Sequence, residues 1–241
     1  MINEYKKLKK ELDIELKNIL SYWTENTIDK EFGGFLGKRD HFNKVVEKAS
    51  KGVILNTRIL WSFSAATNHL KTDTYKDVWD RSFKYLKDFF NDKINKGVYW
   101  EVDYLGNPIN KRKQVYAQSF TIYALSEYYL FSKDEEAKTW AIELFNQLEK
   151  YAKDSVNEGY FEAFNEDWSP IEDMRLSDKD MNASKTMNTH LHVLEAYTSL
   201  LKIYDNNELK ASLKMLVKVF LEKFLNTKNH YELFFDDNWN L

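Results

Sequence analysis

Short turn-rich stretches recur along this chain at a nearly constant spacing, and that recurrence restricts the fold more than any other feature. Gly34, Gly97 and Gly159 mark equivalent points, 63 and 62 residues apart. One stretch reads KGVYWEVDYLGNPI (residues 96–109) and another EGYFEAFNEDWSPI (residues 158–171). An earlier copy, EFGGFLGKRDHF, starts at Glu31, and a fourth, HYELFFDDNWNL, starts at His230. Each alternates aromatic and polar residues around a turn, the signature of a small β-hairpin. A fixed period of this size marks a repeat architecture. Among the glycines and prolines only Gly52 lies outside these stretches, so the intervals between them are free to be helical.

Two kinds of helical pattern fill each interval. The first is poor in charge: GVILNTRILWSFSAATNHL from Gly52, VYAQSFTIYALSEYYLF from Val115, TMNTHLHVLEAYTSLLKIY from Thr186. The second is amphipathic and rich in charge, beginning near Tyr75, Asp134 and Asn207. A helix apolar on most sides is buried, and one with a polar face lies at the surface. Inner and outer helices therefore alternate. With an opening helix over residues 3–23 the pattern predicts seven helices in an all-α toroid, as one domain over residues 1–241, with hairpins gathered where the inner helices begin. An open solenoid of helix pairs is the alternative. The fourth hairpin stops at its turn, so the sequence is expected to be part of a longer barrel.

Composition narrows the function. A net charge of −3, with scattered lysines and arginines, argues against a nucleic-acid binder. The chain has no cysteine, which removes disulfides and thiolate metal sites. The opening MINEYKKLKKELDI is charged, and no apolar run approaches a membrane span of about 20 residues. A cytoplasmic protein without membrane or nucleic-acid partners is expected. The 16% aromatic content suits a large core or sugar-stacking surfaces, and composition does not choose between them.

Chemistry-bearing residues are few. His190 and His192 lie two apart on the third inner helix, so they point to opposite sides and cannot share a metal ion. No metal site and no cofactor are expected. Asn188, His192 and Glu195 form a polar stripe that is either an internal hydrogen-bonded network or a line facing a cavity. Arg58 is the only charge between Lys51 and Lys71. It must be ion-paired or must face water. Tyr116 and Gln118 open the second inner helix beside the hairpins. Trp100, Trp168 and Trp239 lie in or near the hairpins, where packing beneath a turn is the simpler role. Asp103, Glu162, Asp167 and Asp173 also lie there, and a carboxylate pair for glycoside hydrolysis could be drawn from them.

The runs KGVILNTRILWSFSAA, GVYWEVDYLGNP, VYAQSFTIYALSEYY, KTMNTHLHVLEAYTSL and LFFDDNWNL together resemble cellobiose 2-epimerases, within the N-acylglucosamine 2-epimerase superfamily. Mannose isomerases and N-acylglucosamine epimerases look more distant. The resemblance covers essentially the whole chain and implies an (α/α)6 barrel. It implies inversion at C2 of the reducing-end sugar of a β-1,4-linked disaccharide, through ring opening and a cis-enediolate, with no cofactor. By the same resemblance Arg58 matches the active-site arginine and His192 the histidine near the reacting centre. Tyr116 and Asn188 match sugar-contacting residues; His190 has no assigned counterpart. The two acid/base histidines of the family, one in a GHDIE-like motif, and its paired tryptophans are not among these 241 residues. Little activity and self-association through the open side of the barrel are therefore expected of this chain alone. Two other readings compete: a glycoside hydrolase or lyase on the same toroid, and a non-catalytic helical-repeat module binding a glycan or a protein.

Overall fold

The structure, a computed structural model, describes residues 2–241. The first helix, α1, runs over Ile2–Asn26, three residues beyond the expected end. Three units follow, each built from a short strand, an inner helix and an outer helix. The first has β1 (Lys51–Gly52), α2 (Val53–Leu70) and α3 (Lys76–Tyr85), then the hairpin strands β2 (Glu101–Val102) and β3 (Pro108–Asn110). The second has β4 (Lys113–Gln114), α4 (Val115–Ser132), α5 (Glu135–Gln147) and β5 (Ala163–Phe164). The third has β6 (Lys185–Thr186), α6 (Met187–Leu201), α7 (Asn207–Val219) and β7 (Phe234–Phe235). The seven predicted helices are present.

α4 lies between α2 and α6, and each inner helix packs against the outer helix that follows it. This is an arc of an α/α toroid. α4 is buried on nearly every side, as its charge-poor sequence requires. The outer helices start with side-chain caps where the sequence offers them: Asp134 accepts from the N–H groups of Glu136 and Ala137, and Asn206 from Leu209. Each outer helix then closes in a single π-turn, over Leu86–Phe90, Leu148–Ala152 and Phe220–Phe224. These turns are not readable from a 3.6-residue period.

The hairpins differ from expectation in one respect. β2 and β3 close on each other as a local pair of strands, whereas two other stretches close locally by a single bridge, Arg39 with Val45 and Phe164 with Pro170. The strands that precede the inner helices pair with the next stretch along the chain: β1 with β2, β4 with β5, β6 with β7, all antiparallel. The stretches are therefore stitched from repeat to repeat. Their turns share one left-handed position, with Asn43, Gly106, Trp168 and Trp239 at φ between 63° and 98°.

Each inner helix is also anchored at its start by a buried ion pair. Lys51 Nζ lies 2.7 Å from Asp29, Lys113 Nζ 2.6 Å from Asp92, and Lys185 Nζ 2.7 Å from Asp154. The three aspartates do a second task. Asp92, for example, accepts from the N–H groups of Ile94 and Asn95, holding the turn that leads to Gly97. Burial alone would raise these carboxyls, but the lysine ammonium and the turn N–H groups outweigh it, and each is held below its ordinary range.

Candidate functional site

The repeat decides which side chains can meet. Counted from the anchoring lysine, Ile54, Tyr116 and Asn188 stand three residues on, and Arg58, Phe120 and His192 seven on. Trp61, Tyr123 and Glu195 stand ten on. Offsets of three, seven and ten share one helix face. Because α2, α4 and α6 lie side by side, the three rows meet as one surface.

Three of the four residues singled out from sequence converge on it. Arg58 donates from Nη2 to the Tyr116 hydroxyl at 3.2 Å. Its guanidinium also sits 4.8 Å from the centre of the Phe120 ring, a cation–π arrangement. The His192 imidazole meets Tyr116 edge-on at 4.7 Å and Phe120 at 4.5 Å. Its Nδ1 lies 2.7 Å from a Glu195 carboxylate oxygen. Burial lowers the His192 pKa, Glu195 pulls it back up, and the Arg58 cation pushes it down again; the net shift is downward. A neutral imidazole beside a fixed guanidinium and a phenol results. Such a set can bind sugar hydroxyls and steady a developing negative oxygen.

Asn188 is placed differently. It lies one turn before His192, exposed, and lines a cavity of about 270 Å³ with Met187, Arg175, Asp180 and Glu162. No hydrogen bond joins it to Arg58, Tyr116 or His192 among the described residues. Phe120, wedged between Arg58 and His192, was not singled out from sequence. Its shared register with Arg58 and His192 was the signal that could have found it.

The other candidates have structural tasks. His190 is fully buried on the far side of α6: Nε2 accepts from the Tyr160 N–H at 2.9 Å and Nδ1 meets the Thr186 carbonyl at 2.7 Å. Gln118 occupies the same repeat position and binds both backbone groups of Val98. The Trp168 and Trp239 indoles donate to the Asn95 and Asn157 carbonyls, so both pack against turns. Asp103 and Asp167 accept from backbone N–H groups of their own turns, and Asp173 pairs with Arg175. Glu162 is buried and takes hydrogen bonds from the Thr186 N–H and from the hydroxyls of Thr186 and Thr189. Burial raises its pKa to about 8. These four carboxyls are committed to separate local duties, which disfavours an acid/base pair for glycoside hydrolysis. Among the described residues no group of His, Asp or Glu side chains is placed to hold a metal ion, and no helix is long and apolar enough to cross a membrane.

Known proteins share both sequence and fold with this chain. A cellobiose 2-epimerase from Bacteroides fragilis is 44% identical over 234 residues, which is 96% of this chain and 60% of that protein. The solved cellobiose 2-epimerase of Bacillus thermoamylovorans superimposes with a TM-score of 0.89 at 36% identity, over 96% of this chain and 61% of the other. A D-mannose isomerase structure shares the fold at 21% identity, with a TM-score of 0.82 over 97% of this chain and 58% of its own. The chain thus spans about 60% of the length of the curated relatives it matches, and its arc is the corresponding part of their (α/α)6 barrel. The sequence profile described as N-acylglucosamine 2-epimerase (GlcNAc 2-epimerase) matches from residue 34 to residue 241, and on that extent of match the chain belongs to this epimerase family.

Proposed function

We infer that these residues form part of a sugar 2-epimerase acting on the reducing-end unit of a cellobiose-like disaccharide. The observation that carries the reading is the meeting of Arg58, Tyr116 and His192 on one face of three inner helices, in a chain 44% identical to a cellobiose 2-epimerase. In the reaction the sugar ring opens, a base removes the C2 proton beside the C1 carbonyl, and a cis-enediolate forms. Proton return on the opposite face inverts C2. Arg58 supplies fixed N–H donors to the enediolate oxygens. Tyr116, whose oxygen already accepts from Arg58, keeps its own hydrogen for a sugar oxygen. His192 binds next to the reacting carbons, and Asn188 holds the sugar from one turn earlier on α6. No metal ion or nucleotide enters this scheme. A cytoplasmic location belongs to the same reading.

The test is deuterium wash-in at C2 of cellobiose in D2O. In a protein carrying these residues within the complete barrel, Arg58→Ala and His192→Ala are each expected to slow exchange by about 10²–10³-fold, the usual loss for one charge-stabilising donor. Near-normal exchange in both variants would overturn the site. The 241-residue chain alone is expected to give little or no exchange, because by resemblance the proton-transferring histidines lie outside it. Robust exchange by the chain alone would make His192 the first candidate for the base. Release of glucose instead of an epimer would favour the hydrolase reading.

A further inference from the structure

The His192–Glu195 contact is an i, i+3 pair on α6, and surface pairs of that kind ordinarily matter little. Two features set it apart. The imidazole is held between the rings of Tyr116 and Phe120, with 17% of its side chain accessible. The Nδ1 to carboxylate distance is 2.7 Å, short for an N–H···O bond. Among the described residues no partner reaches Nε2. A histidine whose one nitrogen is tied to a carboxylate has its tautomer and its ring orientation chosen for it.

We propose that Glu195 is a positioning residue for His192: it accepts the Nδ1–H, fixes the neutral imidazole in that tautomer, and leaves the Nε2 lone pair as the group offered to a sugar hydroxyl. The proposal rests on the epimerase reading for its ligand, while the tautomer itself is a property of the protein. The charged and titratable groups around the ring act together. Arg58 on α2 opposes protonation, Glu195 on α6 favours it, and the Tyr116 phenol on α4 contacts the ring edge. Tyr123 on α4 lies close enough to Glu195 to feel its charge. A carboxylate so placed keeps Nδ1 from competing as the acceptor. Without it, the neutral ring is free to carry its proton on Nε2 and would offer a donor there in place of the acceptor lone pair.

The test uses imidazole-labelled protein and nitrogen-15 NMR, with no sugar present. In the wild-type chain the neutral His192 signal is expected to show a protonated Nδ1 and an unprotonated Nε2. In Glu195→Gln the His192 pKa is expected to fall by roughly half a unit to one unit, as loss of a partly exposed neighbouring charge implies. In Glu195→Ala the Nε2–H form is expected to appear. His190, locked between Tyr160 and Thr186, reports folding in the same spectra. A wild-type His192 carrying its proton on Nε2 would overturn the proposal outright, whatever the variants do. So would unchanged tautomer and pKa in folded Glu195→Ala. In the complete barrel, Glu195→Ala is expected to shift the pH profile of exchange, with Glu195→Gln between it and wild type; a fall in exchange with an unmoved profile would reduce Glu195 to a packing role. If the tautomer stands but His192→Ala exchanges normally, the epimerase site fails and the pairing survives.

Discussion

His190 and His192 sit two residues apart and solve opposite problems. His192 faces the site surface beside Arg58, whereas His190 is enclosed by Phe224, Trp239 and Tyr160. Burial pushes the His190 pKa from 6.5 down to about 4 by disfavouring the charged ring, and the neutral ring keeps the lone pair that accepts from the Tyr160 N–H. The unfolded chain therefore binds this proton first as pH falls. His190 contributes fully above pH 6.5 and loses about 3 kcal/mol between pH 6.5 and 4. Gln118 does the same work one repeat earlier without titrating. His190→Gln should accordingly fold and flatten that acid-side loss in denaturant titrations, while His190→Ala should cost roughly 2–4 kcal/mol at pH 7. Glu162 has the reverse sign. Its folded pKa of about 8 lies above the ordinary 4.5, so its contribution is complete below pH 4.5 and declines as pH rises to 8. Glu162→Gln keeps a neutral side chain whose oxygen can still accept from the Thr186 N–H and hydroxyl, and should remove that decline in melting temperature. The sequence shows Arg58 and His192 clearly, as polar groups on apolar helices. It also contained the task of His190, in the register shared with Gln118, but only a buried backbone N–H explains why a histidine serves there.

Helices were legible because their pattern is long and local. The strands were only half legible. Each is two or three residues, and the strand before each inner helix finds its partner in the following stretch, as β4 with β5, so no local alternation encodes that pairing. The π-turns and the buried Lys–Asp anchors were equally silent, since a lysine in a polar stretch reads as a surface charge. In the structure Lys113 and Asp92 have no accessible side-chain surface. Burial lowers the Lys113 pKa and Asp92 raises it only in part, so the pair pays a desolvation cost while fixing geometry. Asp92→Ala should then destabilise by about 3–5 kcal/mol in guanidinium unfolding, the usual result of leaving a buried charge alone. The double variant Asp92→Ala/Lys113→Met should recover part of that loss. A double variant as weak as the sum of its parts would mean the two side chains act independently.

At the scale of the whole molecule, α1 meets the rest through one end. Leu16, Leu20 and Trp23 pack inward, while Tyr5, Leu8 and Leu12 stay exposed at 67%, 51% and 60%. An apolar stripe of this kind favours association. The chain should sediment with concentration-dependent mass, and Leu8→Lys with Leu12→Lys should lower that mass at equal concentration; an ideal monomer in both proteins would remove the idea. The indoles of Trp168 and Trp239 have a further consequence, one of timing. Each completes a turn made long before it, 73 residues earlier for Asn95 and 82 for Asn157. During translation, at about 5–20 residues per second, the Asn95 turn waits roughly 4–15 s for its indole to be made. These two turns thus leave the ribosome unfinished and are completed by the following repeat, so nascent chains pass through a window of incomplete structure about one repeat wide.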